Sequence, residues 1–221
     1  MAAIEAELQA LKDNLLDMLD LVRNQLTKCK KALRKNDGSL AEEILSDEKK
    51  VNMQELAIDR DCESILAIYT PVATDLRFVL SSLKITNDLE RIGDNASRLA
   101  KFLSANANDL PQPWLSQYNL EPMLDIVTGM LKDMREALDK EDTRLARKTA
   151  KKDEQLNKLY KEDLKTTAAL IAENPEKGKV LLTLFTIARD LERAGDLTKN
   201  IAEELVFHIE AKVLKHKKDQ R

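Results

Sequence analysis

The heptapeptide Asp88-Leu-Glu-Arg-Ile-Gly-Asp94 occurs a second time, 102 residues later, as Asp190-Leu-Glu-Arg-Ala-Gly-Asp196. Only one of the seven positions differs. Nearer the N-terminus the correspondence continues at a spacing of 105 residues, where Met18-Leu-Asp20 returns as Met123-Leu-Asp125. The change of spacing indicates that three residues were lost from the second copy. An internal duplication is the most economical explanation of matches that keep their order along the chain.

Apolar residues recur at helical spacing around both heptapeptides. In the first copy they step by three and four residues, as expected for the core face of a long helix: Ile85, Leu89, Ile92, Ala96, Leu99 and Leu103. The same periodicity covers two further stretches of each copy. The sequence therefore predicts an all-α protein of two tandem three-helix bundles related by internal duplication. Residues 1–105 form the first bundle, 106–122 a linker, and 123–221 the second bundle with a basic C-terminal tail.

Composition supports helices and excludes several functions. The 221 residues are 34% charged but only 4% aromatic, and they include five glycines and five prolines, which is too few turn and strand formers for a sheet protein. The net charge of −3 gives no general attraction to nucleic acid or to an anionic membrane. Without a signal peptide or a long apolar run, the chain is expected to be cytoplasmic.

The repeated heptapeptide places two like charges one helical turn apart. Glu90 and Asp94 lie about 40° apart on a helix, on the face away from the apolar ladder. Glu192 and Asp196 repeat the arrangement. Such a pair costs a few tenths of a kcal/mol, so its presence in both copies calls for a reason. The glycine inside each motif could let a neighbouring helix or a ligand approach closely.

A second stripe of oxygen-bearing side chains precedes each heptapeptide. Glu48 and Asn52 are one turn apart in the first copy, and Asp153 and Asn157 are their equivalents. Carboxylates and amides are ligands for Mg²⁺, Ca²⁺, Mn²⁺ and iron. Eight residues are thus candidate metal ligands: Glu48, Asn52, Glu90, Asp94, Asp153, Asn157, Glu192 and Asp196. The alternative is that these are solvated acids with Arg91 and Arg193 as their partners.

Features of known enzyme sites are missing from the sequence. Both histidines, His208 and His216, lie near the C-terminus, and neither belongs to the Glu-x-x-His pair of di-iron proteins. No catalytic residue is predicted. Cys29 and Cys62 occupy apolar positions of helical stripes and are predicted to be buried thiols. The basic tail, with Lys212, Lys215, Lys217, Lys218 and Arg221, is predicted to be a frayed, solvated end rather than a site for an acidic partner or phosphate.

The duplicated Leu-Glu-Arg-Ile/Ala-Gly-Asp motif, together with the segment Pro71-Val-Ala-Thr-Asp-Leu-Arg77, resembles the PhoU family of phosphate-uptake regulators. The resemblance extends over essentially the whole chain and both repeats. It implies one multinuclear metal cluster on the surface of each bundle. Glu48, Asn52, Glu90 and Asp94 would hold one cluster, and their four equivalents the other; asparagine replaces the family's carboxylate at positions 52 and 157. The metal could be iron, zinc, magnesium or manganese.

The resemblance also implies a function and its partners. Members of the family act in the cytoplasm with the Pst phosphate ABC transporter, through its ATPase subunit, and with the PhoR sensor histidine kinase. They restrain phosphate uptake and the phosphate-starvation response, often as homodimers, and reach the membrane only through these partners. The leading hypothesis is therefore a non-enzymatic, metal-binding regulator of phosphate transport that binds no nucleic acid. A metal-independent helical adaptor is the alternative; a carboxylate-bridged metalloenzyme is the third option.

Overall fold

The computed structural model describes residues 2–35, 39–106 and 112–213, and within these ranges every regular element is helical. The first copy contains α1 (Ala2–Lys35), α2 (Ser39–Tyr69) and α3 (Ala73–Asn106). A short helix, α4 (Gln112–Leu115), precedes the second copy. That copy contains α5 (Leu120–Asp139), α6 (Thr143–Ala150), α7 (Asp153–Glu173), a single 3₁₀ turn (Pro175–Lys177) and α8 (Gly178–Glu210).

The first bundle packs the apolar stripes of α1, α2 and α3 against one another. Leu15 and Leu26 of α1, Ile58 of α2 and Leu89 of α3 are completely buried, at the three- and four-residue spacing that gives a helix one apolar face. Cys29 and Cys62 lie in this core as free thiols, which confirms their predicted burial. Burial raises the pKa of Cys62 to about 12.

The second bundle repeats this arrangement with one difference, an interruption of its middle helix. Together α6 and α7 correspond to the unbroken α2. At the break the amide of Lys151 donates to the carbonyl of Lys148 (3.3 Å) and that of Lys152 to the carbonyl of Thr149 (3.0 Å), so the backbone forms a tight turn just before Asp153. The predicted fold of two tandem three-helix bundles is confirmed.

The two bundles share one continuous apolar core. Helix α1 packs against α5, and α3 packs against α8. Near the start of α3, Arg77 Nε donates to the carbonyl of His208 (3.1 Å), whereas near its end Asn95 Nδ2 donates to the carbonyl of Asp190 (2.9 Å). The early part of α3 therefore meets the late part of α8, and the two helices run antiparallel.

A buried acid fixes the segment that leads into the second bundle. The carboxylate of Asp163 on α7 is fully buried and accepts hydrogen bonds from the backbone amide (2.9 Å) and the side-chain Nδ2 (2.8 Å) of Asn119. Burial raises the pKa of Asp163, although the bonds from Asn119 act against this rise. One residue earlier, the hydroxyl of Tyr118 is bonded to that of Thr167 (2.8 Å). Helix α5 consequently begins at Leu120, three residues before the predicted domain boundary.

None of the described helices is long and apolar enough to cross a membrane. Most of the predicted basic tail, including Lys215, Lys217, Lys218 and Arg221, lies outside the described residues. Its first lysine, Lys212, is exposed, and its Nζ lies 3.1 Å from a carboxylate oxygen of Glu210.

Candidate metal centres

A first carboxylate group lies between α2 and α3 and consists of Glu48, Glu55, Glu90 and Asp94. Both members on α3 are half-buried. Burial raises the pKa of Glu90, and the charges of Asp94, Glu55 and Glu48 raise it further, while Arg91 lowers it. The pKa of Glu55 is also raised, first by burial and then by neighbouring carboxylates that include Asp94. Four carboxylates from two helices thus repel one another within one groove.

A second carboxylate group lies at the equivalent place in the second bundle and consists of Asp153, Glu192 and Asp196. Burial raises the pKa of Glu192, followed by the charges of Asp196 and Asp153. Burial and then Asp153 also raise the pKa of Asp196. Asp153 is 3% exposed, and its Oδ1 has no hydrogen-bond donor within the described part of the chain.

Lys199, which the sequence analysis did not single out, provides a cation for the second group. Its Nζ lies 3.3 Å from Asp153 Oδ2. Burial acts to lower the pKa of Lys199, but Asp153 and Asp196 outweigh burial and raise it. The equivalent residue of the first copy is Ser97, whose hydroxyl is buried and accepts a hydrogen bond from Gln25 Nε2 (3.3 Å). Because the repeats differ here, their comparison gave no signal for Lys199.

The structure brings most of the eight predicted ligands together. Glu48, Glu90 and Asp94 belong to the first group, and Asp153, Glu192 and Asp196 form the second. Asn157 Nδ2 donates to Asp153 Oδ2 (3.4 Å). In contrast, Asn52 is exposed and has no hydrogen bond within the described ranges. Glu55, which is not among the eight predicted ligands, lies close to this group: its charge raises the pKa of Glu90, and the charge of Asp94 raises the pKa of Glu55 itself.

The two motif glycines admit a neighbouring helix. A Cβ on Gly93 would lie 3.3 Å from Val51 Cγ1 on α2, and one on Gly195 would lie 2.1 Å from Leu156 Cδ1 on α7. Of the two roles open to these glycines, close helix packing is therefore the one observed. Because the helices approach closely at these glycines, the carboxylates of adjacent helices lie near one another.

Neither of the two expected arginine partners forms an ion pair with the acidic pairs in the described part of the chain. Arg91 Nη1 lies 3.5 Å from Asp88 Oδ1, and Arg193 has no hydrogen bond or ion pair with the described residues. Arg91 does stabilise the charge of Glu90, as the direction of its effect on that pKa shows. The acids are therefore not neutralised by direct pairing with these two arginines.

The donor chemistry fits a hard cation. Carboxylate oxygens are the ligands that such ions prefer, and Asp153 Oδ1 accepts no hydrogen bond from the described residues, so this oxygen is available to a cation although Lys199 contacts Oδ2. As the side chains stand, no three His, Cys, Asp or Glu residues of the described ranges converge closely enough to hold a metal ion. Side-chain rotation would be needed for Glu48, Glu55, Glu90 and Asp94 to surround one.

Comparisons with known proteins agree with this architecture. The PhoU domain model matches residues 15–103 and 120–205, one match for each bundle. The phosphate-specific transport system accessory protein PhoU homolog of Aquifex aeolicus is 32% identical over 211 residues, covering 95% of this chain and 94% of the relative. The Pseudomonas aeruginosa homolog is 33% identical over 214 residues, covering 96% and 87%.

Solved structures show the same fold. The crystal structure of PhoU from Pseudomonas aeruginosa superimposes with a TM-score of 0.88 at 31% identity, covering 94% of this chain and 99% of the other. For the phosphate transport system regulatory protein PhoU from Streptococcus pneumoniae the TM-score is 0.81 at 28% identity, with coverage of 96% and 99%. Sequence and structure together, over nearly the full length and in both repeats, place this chain in the PhoU family.

Proposed function

We propose that this chain is an accessory regulator of phosphate transport. Its membership of the PhoU family carries the proposal, because the matched relatives are named accessory proteins of the phosphate-specific transport system. It acts in the cytoplasm on the ATPase subunit of a Pst-type ABC transporter and on a PhoR-type sensor histidine kinase. Through these partners it restrains phosphate uptake and the phosphate-starvation response, without catalysing a reaction itself.

The regulator binds divalent or iron ions at its carboxylate groups. Metal ions would neutralise the repelling carboxylates and shape a docking surface for the transporter or the kinase. The first group supports this step most strongly, since burial and three neighbouring carboxylates raise the pKa of Glu90. Glu48, Glu55, Glu90 and Asp94 would hold the ions in the first bundle, and Asp153, Glu192 and Asp196 those in the second. Iron, zinc, magnesium and manganese all remain candidates.

Metal binding is tested on the full-length chain by elemental analysis and by calorimetric titration with Mn²⁺, Zn²⁺, Mg²⁺ and Fe²⁺. We expect binding that is weakened in a Glu90→Gln/Glu192→Gln double variant. The control is Glu63→Gln, which removes an exposed acid of α2 that belongs to neither carboxylate group. Absence of binding for all four ions, or equal weakening by the control, would refute the metal centres.

The metal's role in docking requires a separate measurement. Association with the transporter's ATPase subunit is compared by pull-down in the presence and absence of chelator, with and without the double substitution. Loss of association in both cases supports metal-dependent docking. Unchanged association favours the metal-independent helical adaptor, an alternative supported by the cation that Lys199 already supplies to the second group. Sedimentation velocity tests the homodimer that this proposal includes.

A further inference from the structure

An arginine-lined cavity opens where α3 crosses α8, between the two bundles. It has a volume of about 200 Å³ and is lined by Arg91, Asp94, Asn95, Arg98 and Arg193. Three of these five side chains are positively charged and one is negatively charged. Two further carboxylates lie beside this lining, because Arg91 contacts Asp88 and Arg98 contacts Asp190. Of the three arginines, only Arg193 has no ion pair among the described residues.

The duplication explains why two arginines meet at this point. Helices α3 and α8 are antiparallel, with Arg77 against His208 and Asn95 against Asp190. In this register the residue opposite Arg91 lies within one position of Arg193, which is the same motif residue of the second copy. The two motif arginines consequently lie near the pseudo-twofold axis that relates the bundles, and both line the cavity.

The donor capacity of this cluster is only partly used. Arg98 is well engaged: its Nε donates to Asp190 Oδ2 (2.8 Å), and its Nη2 contacts Asn95 Oδ1. Arg91 is held more weakly, because its contact with Asp88 is 3.5 Å long, at the limit for a hydrogen bond. Arg193 is exposed and has no hydrogen bond or ion pair among the described residues. The guanidinium groups of Arg91 and Arg193 thus retain N–H donors that no described residue uses.

We propose that this cavity binds one inorganic phosphate ion between Arg91 and Arg193. A guanidinium group presents parallel N–H donors that match two oxygens of a phosphate, and two opposed groups can contact a tetrahedral anion from both sides. An anion would also relieve the repulsion between the like charges. Arg193, which has no ion pair among the described residues, and the weakly held Arg91 supply the donors, and they act against the repulsion from the carboxylate of Asp94.

The cavity is large enough for a free phosphate ion. Its volume of about 200 Å³ is many times the ~10–15 Å³ that one water molecule needs, so one tetrahedral anion fits together with a few waters. The inference goes beyond the proposed regulatory function by assigning a ligand to the bundle junction. It requires no metal ion, since the arginines supply the positive charge.

The test is calorimetric titration of the full-length chain with inorganic phosphate in the presence of chelator, so that no metal ion can bridge phosphate to the carboxylates. We expect Arg91→Gln and Arg193→Gln each to weaken binding by about tenfold or more. Arg189→Gln is the matched control: it removes an exposed arginine one turn earlier on α8 that does not line the cavity. Affinity should be unchanged in this variant.

A second substitution separates hydrogen-bond geometry from charge. Arg193→Lys keeps the positive charge but lacks the planar fork, so we expect it also to weaken phosphate binding, while circular dichroism shows an unchanged fold. No binding by the unsubstituted chain at phosphate concentrations up to about 10 mM, equal weakening by Arg189→Gln, or binding of ATP without binding of phosphate would each overturn the inference. Because metal is removed throughout, these outcomes are independent of the proposed metal centres.

Discussion

The two carboxylate groups descend from the same repeated motif but differ in charge. The first contains Glu48, Glu55, Glu90 and Asp94, and the corresponding position for a bonded cation is occupied by the buried Ser97. The second has three carboxylates and an internal cation, Lys199, bonded to Asp153. The duplication thus preserved the acidic pair on the third helix of each bundle, while residues on the surrounding helices made one group more negative than the other.

Packing differs along with charge. The equivalent of Glu55 in the second copy is Tyr160, whose ring stacks on Phe185 with 5.1 Å between centroids. An apolar contact therefore occupies the place of a carboxylate. Close packing at the motif glycine is also tighter in the second copy, where Leu156 lies against Gly195. The second group is accordingly closer to neutral than the first, and its Asp153 is buried while its Asp196 is exposed.

The largest expected effect is on the free energy of unfolding, and it tests whether the second copy packs more tightly at its motif glycine than the first. A methyl group on Gly195 would lie 2.1 Å from Leu156 Cδ1, and Leu156 is fully buried and cannot move into solvent. Overpacking of this kind costs about 1–3 kcal/mol, only partly offset by the better helix propensity of alanine. We therefore expect Gly195→Ala to lower the free energy of unfolding by about 1–2 kcal/mol, measured by urea denaturation.

Alanine substitutions at two other glycines provide comparisons for Gly195→Ala. The contacts of a Cβ on Gly93 would be 3.2 and 3.3 Å, so Gly93→Ala should have a much smaller effect. Gly129 lies within α5 and has no heavy atom within 4 Å of such a Cβ, so Gly129→Ala should stabilise the protein by up to about 1 kcal/mol. Equal effects at positions 93 and 195 would contradict the difference in packing between the copies.

A smaller effect is expected when the internal cation is removed. If metal ions bind the carboxylate groups, Lys199 competes with them for Asp153. Lys199→Met keeps the apolar stem and removes the charge, so the second group should bind Mn²⁺ about tenfold more tightly, equivalent to about 1.4 kcal/mol. Calorimetry in a Glu90→Gln background, where the first group is weakened, isolates this site. Lys158→Met, on an exposed lysine of α7, is the control, and no gain over it would contradict the competition.

The smallest effect concerns repulsion in the metal-free protein. Burial and neighbouring carboxylates raise the pKa of Glu90 above its ordinary value of 4.5, so the folded state holds this proton more tightly than the unfolded state. Stability is then lost as the pH rises through the unfolded pKa to the raised folded pKa. In chelator, Glu90→Gln should increase the free energy of unfolding at pH 7 by a few tenths of a kcal/mol.

The pH dependence of that gain identifies its cause. The difference between Glu90→Gln and the unsubstituted chain should disappear below about pH 4, where the carboxyl is protonated in both states. Glu63→Gln, which removes an exposed acid, should give no comparable gain. A gain of the same size at pH 3 and pH 7 would show that it does not come from charge repulsion.

Local spacing made much of the fold and of the acidic pairs predictable. A helix places residues four apart on the same face, so Glu90 with Asp94 and Glu192 with Asp196 could be paired from their positions alone. Contacts between helices are different, because they depend on how two helices are rotated and offset. For that reason helical spacing alone selects neither Glu55 nor Lys199, although both lie beside the acidic pairs in the structure.

The burial of Asp163 is another feature that helical spacing does not predict. Asp163 is the equivalent of Ile58, a core residue of the first bundle, and sequence periodicity gives no reason to bury a charged side chain at that position. It is buried because the segment before α5 folds onto α7 and presents the amide groups of Asn119 to it. The hydrogen bonds that make its burial tolerable come from a part of the chain 44 residues away.

The sequence by itself determined the helices, their duplication and the position of each acidic pair, because these follow from the period of the helix and from a repeat at fixed spacing. Only the tertiary structure decided that Lys199 is bonded to one carboxylate group and that Arg91 and Arg193 line one cavity between α3 and α8. Both contacts arise where separate helices meet, and the register of that meeting is set by the packing of complete apolar faces rather than by neighbours in sequence.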